Sequence, residues 1–94
     1  MLPPPITEAA PAGPSRLRAV FADGSVRLFD LRPYTASPYF APLADDAYLA
    51  QVRVTDGTVA WPDGQDFDRG TIYALGEEPA RHAAAGARSG QRVV

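Results

Sequence analysis

The residues most able to do chemistry in this chain lie in "VAWPDGQDFDRGTIYALG", residues 59–76. There Asp63, Asp66 and Asp68 fall within six positions directly behind the single tryptophan, Trp61. Carboxylates so spaced suit two kinds of chemistry: ligation of a hard cation, or a division into general acid and general base. Counted from Asp66, acids stand at the first and third positions of a calcium loop and Glu77 at the twelfth. The fifth and sixth positions are Gly70 and Thr71, where an oxygen ligand and an obligatory glycine belong, so the turn that wraps the ion is missing. Acid–base work needs a cleft that raises one carboxyl pKa, and an exposed turn lacks one.

Local physics gives these aspartates simpler duties. Trp61-Pro62-Asp63-Gly64 has the residue order of a type I turn, with proline second and glycine fourth. Asp68 precedes "RGTIYAL" as a helix N-cap, and Gly76 is its stop. Asp66 either caps in its place or sits in the connecting loop. Elsewhere chemistry is thin. There is no cysteine, and the one histidine, His82, stands beside alanines, so a zinc site is excluded and a solvated histidine expected. No glycine-rich phosphate loop is present. No catalytic residue, metal or cofactor is assigned.

The elements that must position these residues are legible from alternation. In "RLRAVFADGSVRLFDL", Leu17, Ala19 and Phe21 alternate with Arg16, Arg18 and Val20, and beyond Asp23-Gly24 the alternation resumes. That pattern predicts strands over 16–22 and 25–30 joined by a primed turn, because Asp and Gly tolerate its positive φ angles. "ITEAA", 6–10, follows three prolines and can add an edge strand. "RPYTASPYFAP", 32–42, reads as a loop whose aromatics, Tyr34, Tyr39 and Phe40, either lid the core or offer a contact surface. "LADDAYLAQV" predicts a helix of about two turns capped by Asp45. Asp56-Gly57 between Val54 and Val59 predicts a second hairpin. The expected class is α+β: a small antiparallel sheet built from a three-stranded meander and a second hairpin, with two short helices, in the order β-β-β-α-β-β-α. The expected organisation is a proline-rich head over 1–15 that includes the edge-strand candidate, a compact domain over 16–76 and a flexible Ala/Gly/Arg tail over 77–94.

A chain of 94 residues makes one small domain with little room for a deep pocket. The formal charge is −2, all nine basic residues are arginine, and no window carries a basic stripe. Nucleic acid is therefore an unfavoured partner. Its best case is a basic face made by Arg16, Arg18 and Arg27, with Arg53, once the strands assemble. No apolar run approaches the ~18 residues of a membrane span, and the start shows no basic region leading into an apolar stretch. A soluble, cytoplasmic protein is expected.

Three stretches taken in order, "FADGSVRLFDL" (21–31), "YFAPLADDAYLAQVRV" (39–54) and "GTVAWPDGQDF" with "TIY" (57–73), resemble a small bacterial family known only as domain of unknown function 2442. The resemblance implies a meander, a short helix, a second hairpin and a final helix. It implies no activity. It also implies an association with a second small protein in a toxin–antitoxin-like pair, or with a helix-turn-helix, whose pattern is absent here. Arg69 and Gly70 depart from the proline and acid common at the start of the last helix.

These readings converge on a non-enzymatic interaction module, the antitoxin-like or regulatory member of a two-protein system. Its candidate interaction surface comprises Asp23, Asp30, Tyr34, Tyr39, Asp63 and Asp66. Another small protein is the expected partner, and a homodimer through a sheet edge is the second arrangement considered. The alternatives are a nucleic-acid-linked regulator and a metal-dependent hydrolase using the aspartates.

Overall fold

A computed structural model describes residues 2–79. Two three-stranded antiparallel sheets enclose one core. The first is the meander β1 (Ile6–Pro11), β2 (Arg16–Phe21) and β3 (Val26–Asp30). The second is β4 (Arg53–Thr55), β5 (Thr58–Ala60) and β6 (Asp66–Phe67). Between them run the short helical turns α1 (Arg32–Thr35) and α2 (Asp46–Leu49), with a 3-10 turn at Ala41–Ala44. Helix α3 (Arg69–Leu75) follows the second sheet. The fold class is the expected small α+β.

The same dipeptide, Asp-Gly, makes two different turns, and the difference decides what the first sheet buries. At Asp56-Gly57 both φ angles are positive, 52° and 77°, and Thr55 pairs directly with Thr58. This is the primed two-residue turn that was expected. At Asp23-Gly24 only Gly24 is positive, at 88°. The amide of Phe21 donates to Ser25 O, Gly24 N donates to Phe21 O, and the Asp23 carboxylate accepts from Ser25 N at 2.8 Å. The loop therefore holds three residues, Ala22 to Gly24, in place of the primed turn.

The extra residue shifts the register so that Val20 faces Val26 and Ala19 faces Arg27. A one-residue shift moves a whole strand's side chains to the opposite face. Arg27, Phe29 and Leu31 consequently join Leu17, Ala19 and Phe21 on the buried side.

The core is completed by Ile6 of β1, Leu43, Leu49, Val59, Trp61, Phe67 and Ile72. The ring of Phe67 contacts Phe29, Tyr34, Phe40 and Trp61 with centroids 5.0–6.2 Å apart, so the short strand β6 sits at the middle of an aromatic cluster. Sequence alternation missed β6, because two residues carry no period; Val59 and Ala60 pair with Phe67 and Asp66. The expected two-turn helix over 43–52 is shorter, one turn of four residues after the 3-10 turn. The expected loop 32–42 is partly helical, since Pro33 suits a first turn where its missing N–H costs nothing.

The first sheet is not left open at β3. Leu28 and Glu77 exchange backbone hydrogen bonds, at 2.8 and 2.9 Å, so the folded unit includes Glu77, the residue at which the tail was expected to begin. The tail from residue 80 onward lies outside the described residues. At the opposite edge, β1 carries a register irregularity between Ile6 and Glu8, and Ile6 N donates to Gly57 O.

Glycine substitutions separate the two turns. Gly24→Ala costs about 1 kcal/mol for its positive φ, since nothing lies within 4 Å of the added Cβ. Gly57→Ala costs about 2–3 kcal/mol, because that Cβ would stand 2.7 Å from Pro5 Cβ. Urea unfolding midpoints of the two variants check the order.

Candidate interaction surface

The turn behind Trp61 is built as its residue order implies. Gly64 N donates to Trp61 O at 3.0 Å, closing the four-residue turn, and Trp61 N donates to Gln65 O. Below it lies a polar knot in an otherwise apolar interior. Gln65 is 3 % exposed. Its Nε2 donates to Tyr39 O at 3.0 Å, and its Oε1 accepts from the Tyr48 hydroxyl at 2.7 Å. That hydroxyl in turn accepts from Asp63 N at 2.9 Å, and the Trp61 indole donates to Leu49 O at 3.1 Å. Every polar atom of the Gln65 side chain that faces the core is thereby satisfied, which is the condition for burying an amide.

The aspartates serve the backbone in most cases. Asp68 accepts from Gly70 N at 3.1 Å and Asp45 from Tyr48 N at 3.1 Å, each as an N-cap. Asp66 is not a cap; it is an exposed residue of β6. Asp63 occupies the turn and contributes its amide to the Tyr48 hydroxyl. Asp30 accepts from the amide and guanidinium of Arg32, with the shortest contact 2.7 Å. The guanidinium holds the Asp30 carboxyl down to about 2. The Asp23 carboxyl is also lowered, first by the Ser25 amide and to a smaller degree by the Tyr73 hydroxyl, which donates at 3.0 Å.

The six candidate residues do not form one patch. Tyr39 is 53 % exposed, and its hydroxyl approaches Gly64, so it adjoins the turn that holds Asp63. Tyr34 is half-buried against Phe29, Phe40 and Phe67, which makes it chiefly a lid on the core. Asp66 belongs to an open acidic hollow of about 380 Å³ with Asp56, Thr58, Asp68 and Arg69. Among the described residues, no three carboxylate or imidazole side chains are grouped so as to hold a metal ion. Asp23 lies in a different groove, of about 520 Å³, between the N-terminal Leu2–Pro4 segment and the Gly70, Tyr73 and Ala74 side of α3.

Sequence reasoning missed that groove, because Leu2 and the tyrosine of α3 are brought together only by tertiary packing. It also misplaced Arg27. The expected basic face would set Arg27 beside Arg16 and Arg18, yet the register puts Arg18 opposite Leu28 and Arg27 opposite the buried Ala19. Arg27 is 9 % exposed; its Nε donates to Tyr73 O, its Nη1 to Val26 O, and Glu78 lies 3.6 Å from Nη2. Its guanidinium lies 4.4 Å from the Tyr73 ring centroid. A buried cation so paired anchors the last turn of α3, whose carbonyls carry the negative end of the helix dipole.

Two sets of variants test this assignment of roles. Gln65→Ala, which orphans Tyr39 O and leaves the Tyr48 O–H without its acceptor, costs about 2 kcal/mol, and Asp68→Ala about 1 kcal/mol, in urea unfolding. For the acid limb, Asp30 and Asp23 have folded pKa values below their unfolded ones. Their stabilisation is therefore complete above about pH 4 and is lost as the pH falls, for Asp30 toward about 2. Asp30→Asn flattens the pH dependence of the melting temperature over that window.

No helix among the described residues is long and apolar enough to cross a membrane. No curated protein and no solved structure matches the chain. The model of one family, described as Protein of unknown function (DUF2442), matches residues 6–78, from the first residue of β1 to the partner of Arg27 at Glu78. With its meander, second sheet and closing helix all inside that match, the chain belongs to the DUF2442 family.

Proposed function

We propose that the chain is a non-enzymatic interaction module that acts by binding another small protein, as the antitoxin-like or regulatory member of a two-protein system in the bacterial cytoplasm. One observation carries this reading: apolar side chains are left on the surface beside an open groove. Leu2 is 81 % exposed, and the groove wall of Leu2, Pro3, Pro4 and Ala74 is apolar. Exposed apolar surface of this kind, rimmed by polar residues, is characteristic of protein contact sites.

Further support comes from the carboxylates, several of which are engaged by backbone amides or by arginine. A partner of different sequence fits better than a second copy paired along β1. That edge carries a bulge, the charged Glu8 and the donorless Pro11, devices that blunt an edge against strand pairing. The inward turn of Arg27 likewise removes one of the cations that a nucleic-acid face would need.

Affinity capture of the tagged full chain from its native host tests the proposal. The expected result is a second small protein recovered in stoichiometric amount. Recovery of nucleic acid alone, or of nothing stoichiometric, contradicts it.

A further inference from the structure

The groove beside α3 has a built geometry that narrows what it accepts. Gly70 faces Pro3 across it: a Cβ there would lie at ordinary contact distance, 3.5 Å, from Pro3 Cγ, and 2.9 Å from the Asp68 cap oxygen. Ala74, one turn further along the same helix, is small and exposed. Between them the Tyr73 ring is fixed by an edge contact with Phe21, centroids 5.0 Å apart, and by the Arg27 guanidinium. The groove therefore offers a firm apolar floor rather than a mobile one.

Among the described residues, Asp23 is the one charged residue in the lining. Its Oδ1 accepts from Ser25 N and its Oδ2 from the Tyr73 hydroxyl. A carboxylate has about four acceptor positions, so room remains for further donors. Arg27, which also acts on the Asp23 charge, directs its guanidinium to Tyr73 O, Val26 O and Glu78. An apolar trough with a single anionic group at its side is complementary to an apolar side chain with a cation next to it.

We propose that this groove is the partner's docking site and takes an extended segment in which an aliphatic or aromatic side chain neighbours an arginine or lysine. The apolar side chain rests on Tyr73 and Ala74 under Leu2, and the cation reaches Asp23. The inference rests on the interaction reading above and specifies its chemistry.

Panning a random dodecapeptide display library on the immobilised full chain tests it. Ala74→Glu and Asp23→Asn are the comparison proteins. Ala74 is exposed, and asparagine keeps the acceptor for Ser25 N, so both variants retain the fold; their melting curves verify this. Enriched peptides are expected to carry the apolar–basic pair. Ala74→Glu is expected to weaken them at least about tenfold. Asp23→Asn is expected to weaken them about threefold to tenfold at low salt and to flatten the salt dependence.

Enrichment of peptides lacking that pair, equal binding by Ala74→Glu, or no enrichment at all overturns the assignment. The two proposals fail separately. If a native protein is captured in stoichiometric amount and Ala74→Glu retains it fully, the groove is wrong and the interaction reading stands; if the unaltered chain captures no protein, the interaction reading itself falls.

Discussion

The buried amide of Gln65 is the constraint on which the rest of the second half of the molecule depends. It receives the Tyr48 hydroxyl and donates to the Tyr39 carbonyl, so one side chain ties α2 and the aromatic segment 34–40 to the turn that follows Trp61. An amide in an apolar interior is costly unless paired, and with its partners in place only one arrangement of these segments satisfies it. Trp61 makes the same demand from the other side through its bond to Leu49 O. The turn carrying Asp63 is shaped by these bonds, and its aspartate is where it is because the amide of that residue completes the knot.

In the first half the deciding feature is a register. The three-residue loop at Ala22–Gly24 turns Arg27 into the molecule, and Arg27 then fixes the C-terminal turn of α3 and the residues after it. The bridge between Leu28 and Glu77 closes the β3 edge at the same place. With α3 held there, Tyr73 meets Asp23, and the groove against Leu2–Pro4 exists as a consequence. A small turn preference is thus linked to the surface proposed to bind a partner.

Much of the fold was legible because alternation and turn chemistry are local. Leu17, Ala19 and Phe21 are buried as their spacing required, Asp45 and Asp68 cap the helices they precede, and Asp56-Gly57 forms a primed turn. The misjudged parts depend on contacts remote in sequence. The same Asp-Gly dipeptide stands at both turns; at Asp23-Gly24 the carboxylate accepts from Ser25 N and the loop holds three residues, an outcome the dipeptide alone does not encode. Strand β6 exists because Phe67 completes an aromatic cluster drawn from residues 29–61. Of the six candidate surface residues, Asp23 lines the proposed groove, Asp66 the acidic hollow and Tyr39 the Trp61 turn; Tyr73 was not singled out, since a lone tyrosine in a short helix carries no signal of its own.

The proposed interaction role rests on carboxylates that organise backbone and on apolar groups that remain outside. The most direct measurement is an amide correlation spectrum of the isotopically labelled full chain, titrated with magnesium and with calcium into the millimolar range. Backbone-shaping carboxylates predict that the amides of Asp56, Asp66 and Asp68 show no saturable movement and that the melting temperature does not rise. Saturable shifts confined to those residues, accompanied by a higher melting temperature, would show a bound ion and contradict that role.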